Sequence, residues 1–274
     1  MVKNVEAAVS CEAPVDWSDK TIYIPRTFDT GMATIWGPAV YSEGPVLDLE
    51  LAGEYFGTVV TDEAELDENE QVVSYTAPDL SDVDAVLVGM RSPNNGIYHA
   101  APGFDVETEE YYPITLQYRP YTADGDNVRE VSISGNILDD GTRENRSYFG
   151  KESRISNEAD LDAFERAVEA VDASGQDIPV IAVVKSVNPF IPAEFEEKAD
   201  AILVGFGVSD QALFEVATGA HEPAGRLPMT FPANMDAVED SFEDTPMDID
   251  AFTDSQGNTY ELGFGLTCAG VPIG

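Results

Sequence analysis

The sequence predicts an α/β fold: a mostly parallel sheet of about five or six strands with helices on both faces, an α/β sandwich, plus a strand-rich insertion. Three observations predict it. Continuous apolar runs at residues 84–90, 178–186 and 201–206 are bounded by acids, Gly or Pro, as in strands buried on both faces. Runs of helical period alternate with them, above all Leu161, Phe164, Val168 and Val171. Residues 93–154 interrupt the alternation with β-like runs of their own.

Taken in order, residues 20–27 (KTIYIPRT) alternate apolar β-formers after Trp17-Ser18-Asp19 and read as a first strand. Val46, Leu49, Leu51 and Tyr55 have near-helical spacing, and residues 57–61 (GTVVT) form a short buried strand. The run at 84–90 belongs in the middle of the sheet. Inside the insertion, the runs at 112–118 and 130–134 read as strands, with the turn-formers Asp124-Gly125-Asp126 and Asp140-Gly141 between and after them. From Ser156 a helix is expected, capped by Asn157 and closed by Gly175. Residues 178–186 are a strand, 193–199 a short helix and 201–206 a strand leading into a helix at 211–218 that stops at Gly219. Pro223, Gly225, Pro228 and Pro232 hold residues 222–232 extended, with the Arg226 guanidinium as a planar fork for another group, structural or ligand. The strand ends at Gly89-Met90-Arg91-Ser92, Val187-Asn188-Pro189 and Gly205-Phe206-Gly207 should share one edge, where open α/β sheets bind ligands.

Composition narrows the function. The chain has 274 residues, 43% hydrophobic, and its 14 Lys+Arg against 52 Asp+Glu give a net charge of −38. Such a field repels phosphate backbones and anionic lipids, so neither nucleic acid nor membrane is expected as a partner. Acidic runs such as Asp62-Glu63-Ala64-Glu65 and Asp67-Glu68-Asn69-Glu70 read as solvated surface, and no loop has EF-hand spacing. No metal or cofactor is expected. Cys11 and Cys268 read as ordinary thiols, with a single bridge left open, and His99 and His221 as structural residues. No apolar stretch reaches the roughly eighteen residues of a membrane helix, and no signal peptide is evident, so a cytoplasmic location is the default unless a preceding segment carries a leader.

Two motifs carry a resemblance. Residues 222–232 (EPAGRLPMTFP) and, later, Tyr260-Glu261-Leu262-Gly263-Phe264-Gly265-Leu266 are similar in form and order to the C-terminal domain of glycoside hydrolase family 3, the β-glucosidase-like exo-glycosidases. Met1-Val2-Lys3-Asn4 resembles the Leu-Leu-Lys-Asn-like stretch at which the second domain of that family begins. The resemblance implies one C-terminal α/β domain over residues 1–274, with 93–154 inserted and the N-terminal (β/α)8 barrel absent from this chain. It implies a domain that completes the sugar pocket of a separate barrel, which carries the nucleophile, for hydrolysis of terminal β-linked glucosides or related sugars. Alone, the chain should hydrolyse nothing.

The family acid/base, where the second domain supplies it, is a glutamate in a Ser-Gly-Glu-Gly-like loop. Here that loop reads Ser92-Pro93-Asn94-Asn95-Gly96, in which Asn94 or Asn95 can hydrogen-bond a glycosidic oxygen but not protonate it. Either the acid has moved into the acidic cluster that follows Pro102-Gly103, where Asp105 and Glu107 are the candidates, or this domain only shapes the sugar pocket and the acid/base comes from elsewhere. Arg91, Asn94, Asn95, Arg119, Tyr118 and Arg146 are candidate sugar-binding residues; the aromatics and arginines of the insertion fit a local mini-core equally well. The alternatives are a non-catalytic carbohydrate-binding module or inactive remnant and, last, a flavodoxin-like binding domain. A homo-oligomer is left open.

Overall fold

A computed structural model describes the chain apart from residues 6–7, 12–15, 34–36, 97–102, 106–107, 243 and 274. Among the described residues, six strands form the main sheet: β1 Lys3–Asn4, β2 Thr21–Tyr23, β3 Thr58–Val60, β4 Ala85–Arg91, β5 Val180–Ser186 and β6 Ala201–Phe206. They lie in the order β1-β6-β5-β4-β2-β3, and every neighbouring pair is parallel except the edge pair of β1 with β6. Lys185 sits opposite Arg91 and Ser186 opposite Phe206, so the ends of β4, β5 and β6 do share one edge.

Alternation along the strands divides the core in two. Val86 and Val88 of β4 and Ala182 and Val184 of β5 join one buried cluster with Leu161, Phe164 and Ala167. Leu87, Ile181 and Val183 face the other way, onto Ala52, Phe56, Leu213 and Phe214. The second cluster is roofed by α1 Leu49–Tyr55 and α3 Asp210–Ala217, and the first by α2 Ala159–Ser174. Helix α2 spans Ala159–Ser174 and ends on Gly175 at φ 67°, the left-handed conformation that favours glycine.

Several expectations need correction. The run at 20–27 is not one strand: Pro25 ends the pairing in the main sheet, and Thr27–Asp29 turns off to pair antiparallel with Ser42–Gly44. Nor is it the first, because Lys3–Asn4 precedes it. Asn157 does not cap α2, whose N-cap is Glu158 without a side-chain cap bond. Its amide instead spans the chain, donating to the carbonyl oxygens of Arg91 and Ser92 and accepting from Asn94 N–H at 2.8 Å. The helix expected at 193–199 consists of two short 3-10 turns, Pro192–Glu194 and Glu196–Lys198.

Asp62 is buried rather than solvated, and accepts from the Tyr23 hydroxyl, from Arg26 N–H at 2.7 Å and from the Arg166 guanidinium at 2.9 Å. The rest of its acidic run does face solvent. Cys11 and Cys268 are not free thiols but a disulfide, with Cα atoms 5.8 Å apart. The bridge spans 257 positions of sequence, so it removes much of the unfolded chain's freedom. Replacing both cysteines by Ser is expected to cost about 2–4 kcal/mol, read as a lower denaturant midpoint.

Within the insertion the described hairpin is Phe104–Asp105 paired antiparallel with Glu110–Tyr111. The runs at 112–118 and 130–134 are irregular. Pro113 removes a ladder donor from the first, while Val131 and Ile133 of the second stand in solvent with no sheet to cover them.

Candidate functional site

The C-terminal edge of the sheet is largely occupied by the protein's own ion pairs. Arg91, at the end of β4, donates from Nε and Nη2 to the two Asp160 oxygens at 2.9 and 2.6 Å, and from Nη1 to Asp29 at 3.3 Å. Thr27 Oγ1 adds a bond to Asp160 at 2.9 Å. Burial works to lower the Arg91 pKa, but the Asp160 and Asp29 carboxylates outweigh it and leave the guanidinium more firmly protonated than usual. Beside it, Arg26 forms a fork with Glu43 through Nε at 2.7 Å and Nη2 at 2.5 Å. Tyr75 donates to the same carboxylate at 3.1 Å. Burial, reinforced by the charge of Asp62, pushes the Tyr23 hydroxyl far up.

Space for a ligand lies farther out. A cleft of about 500 Å³ opens between the insertion and the loop after β2, lined among others by Asp105, Tyr112, Tyr118, Glu152, Arg154 and Glu158. Three local features build it. Gly103 begins the hairpin at φ 74°, and a Cβ there would meet Tyr112 O at 2.7 Å, so only glycine allows the strands to close. Asn95 pins the far wall: its Nδ2 donates to Thr115 O at 2.7 Å, and its Oδ1 accepts from Thr115 N–H at 2.9 Å. Glu194 accepts from the N–H groups of Tyr118 and Arg119 at 2.6 and 2.8 Å and so fastens the insertion to the 3-10 turn that follows β5. Burial raises the Glu194 pKa in spite of those bonds.

Asp105, one of the two acid/base candidates, stands on the cleft wall with a side chain 22% exposed. Its Oδ2 accepts from Arg154 Nη1 at 2.8 Å, and the same guanidinium stacks on the Tyr112 ring with its carbon 3.7 Å from the centroid. In this pair Asp105 is an acceptor, the form that a general base takes. Only Oδ2 is engaged in this bond, so a proton on Oδ1 is compatible with it. Glu107 lies outside the described residues.

The sugar-binding candidates divide. Tyr118 and Asn95 line the cleft, although the Tyr118 ring is buried, its hydroxyl donates to Arg91 O at 2.7 Å, and burial drives its pKa well up. Asn94 is engaged with Ser156 and Asn157. Arg91 serves the Asp160 network, and Arg119 reaches Glu158, Asp162 and Glu165 at 2.8, 2.7 and 2.6 Å. Arg146 holds Glu144 at 2.8 Å and lies over Tyr111. None of these four lines the cleft, and Arg146 instead lines a separate one with Arg129, Ser132 and Tyr148. Sequence reasoning missed Glu152, Arg154 and Glu158, which precede α2; nothing in their spacing announces that the hairpin at 104–111 comes to lie against them.

The two motifs singled out in the sequence meet each other rather than the cleft. Leu227 N–H donates to Phe264 O at 2.7 Å, Gly263 N–H to Leu227 O at 2.8 Å and Phe231 N–H to Tyr260 O at 2.9 Å. A Cβ on Gly265 would lie 2.5 Å from Gly225 O, which explains glycine there. Arg226 is exposed on this loop, and among the described residues none of 222–232 lines the cleft.

Fold and site together define an open, mostly parallel α/β domain whose insertion builds a polar and aromatic cleft beyond the strand ends, the place where such sheets receive ligands. A profile of the glycosyl hydrolase family 3 C-terminal domain matches residues 70–268, and the chain belongs to that family. It is 34% identical over 103 residues to beta-glucosidase C of Emericella nidulans, a match covering 37% of this chain and 16% of that protein. A probable beta-glucosidase C of Aspergillus flavus is 30% identical over 92 residues, 34% of this chain and 14% of the other. These matches span less than a fifth of the relatives' own length. Among solved structures, a beta-glucosidase from Listeria innocua in complex with isofagomine aligns with 97% of this chain and 32% of its own, at 13% identity and a TM-score of 0.45.

Proposed function

We propose that this domain works as the second half of a family 3-type glycosidase acting on terminal β-linked glucosides or xylosides. A (β/α)8 barrel supplies the nucleophilic carboxylate, and this chain closes the pocket. Asp105 is the acid/base, facing a sugar across the cleft and held there by Arg154, which is itself stacked on Tyr112. The observation that carries this reading is a carboxylate set in an aromatic cleft beyond the sheet's C-terminal edge, in a chain of this family.

A retaining glycosidase needs two carboxyl groups about 5 Å apart. With the barrel's carboxylate on the far side of the sugar, Asp105 would protonate the departing oxygen and, in the second half-reaction, accept a proton from water. Arg154 would hold the carboxylate in place between these steps.

Mixing the purified chain with its barrel and assaying an aryl β-glucoside tests the reading. Turnover in the mixture and in neither part alone is the expected result; an active lone chain, or a mixture that forms a complex and remains inert, defeats it. A second reading, a carbohydrate-binding module without catalysis, is favoured by the absence of any carboxylate in residues 92–96 and by the pairing of Asp105 with Arg154. It expects the inert complex.

A further inference from the structure

Asn145 differs from every other asparagine of the chain, because it alone is followed two places on by a serine or threonine, with Arg146 rather than proline between. Asn-x-Ser is the acceptor sequence for a glycan on the asparagine amide nitrogen. The triplet is short, so its surroundings decide what it means. Asn145 is exposed, in an irregular stretch outside any strand or helix. Its Oδ1 accepts from Ser147 N–H at 3.1 Å, closing an asparagine turn over the triplet, and from Ser132 N–H at 2.9 Å. Its Nδ2 donates to Glu130 O at 3.1 Å. That bond uses one of the two amide hydrogens, and a glycosylated amide keeps one N–H and its oxygen. All three bonds therefore survive the modification. Val131 and Ile133, either side of Ser132, and Tyr148 and Phe149, just after the triplet, are exposed apolar side chains that a glycan here would cover.

A second observation comes from across the molecule. Cys11 and Cys268 are joined. Disulfides persist in oxidising compartments and are rare in a reducing cytosol, and those compartments are where exported chains receive asparagine-linked glycans. We propose that Asn145 is an N-glycosylation site and that the chain matures outside the cytosol. The donor is a glycan carried on a polyprenyl phosphate. Asn145 Nδ2 attacks the anomeric carbon, and a carbon–nitrogen bond forms as the bond from that carbon to the phosphate oxygen breaks. The lipid phosphate leaves with the electron pair, and one amide proton passes to a base of the transferase. In the folded chain Ser147 Oγ is committed, donating to Arg129 O at 2.5 Å and accepting from Phe149 N–H at 3.1 Å, so the transferase reads the triplet before this segment closes.

The site does not depend on the glycosidase reading and is tested apart from it. The intact mass of the chain purified from its native source should exceed that of the disulfide-bonded polypeptide by a whole number of sugar residues, and the increment should map to the peptide that carries Asn145. In a secreting host that adds N-glycans, Asn145→Gln and Ser147→Ala should each lose the whole increment, while Ser147→Thr keeps it. Because Asn145 is exposed, Asn145→Gln should leave the circular dichroism spectrum unchanged, which separates loss of the site from loss of the fold. A bare polypeptide mass from the native source overturns the proposal. So does a glycan attached at a residue other than Asn145, or an increment that Ser147→Ala retains.

Discussion

In the enzyme reconstituted from chain and barrel, Asp105→Asn lowers kcat on alkyl β-glucosides by about 10²–10⁴-fold, the usual contribution of a positioned proton donor. Asparagine keeps the volume of the side chain and one oxygen for Arg154, so the cleft wall stays in place while the transferable proton is lost. The dependence on leaving group separates this role from a structural one. An aryl glucoside with an acidic phenol departs with little help from a proton, so its first step should suffer far less than that of the alkyl substrate. Equal losses on both substrates, or a change in KM alone, would mean that Asp105 shapes the pocket without handling a proton. Arg154→Met is the companion variant: freed of its ion pair, Asp105 should still act, with an altered pH profile as the readout.

What could be read from the sequence was what depends on local pattern. The runs at 84–90, 178–186 and 201–206 became β4, β5 and β6 within a few residues, because a strand buried on both faces has to be apolar throughout. Gly175 closed α2 because a left-handed residue was needed there. Long-range pairing was hidden. Asp62 looks like its acidic neighbours until Tyr23 and Arg26 from one distant segment and Arg166 from another converge on it. The candidate site was half legible for the same reason. Gly103 and the following acids marked a turn with carboxylates, but that Arg154 would close on Asp105 across an insertion of irregular structure has no periodic signal. Residues 222–232 and 260–266, the most telling part of the sequence, proved to recognise each other.

The stability of the domain should respond most strongly at its N-terminal edge. Lys3 Nζ lies 2.7 Å from Glu196 Oε1 and donates to the Glu196 carbonyl at 2.6 Å, with the two side chains 2% and 4% exposed. Ser255 supports the pair, donating from Oγ to the same carboxylate at 2.8 Å. Burial of both ions is costly, and mutual attraction offsets the cost only while both are present. Lys3→Ala, or Glu196→Ala, strands one charge in the core and should cost about 3–5 kcal/mol of unfolding free energy. The double variant Lys3→Met with Glu196→Leu removes both charges and should recover most of that loss. Arg119→Ala offers the contrast, since its three carboxylate partners are all more than a third exposed and such pairs contribute about 1 kcal/mol or less. Urea titrations of the four variants would decide the matter. If Lys3→Ala proves as mild as Arg119→Ala, water must reach the pair, and β1 would then be held by its backbone bonds and by the disulfide eight positions beyond Lys3 rather than by charge.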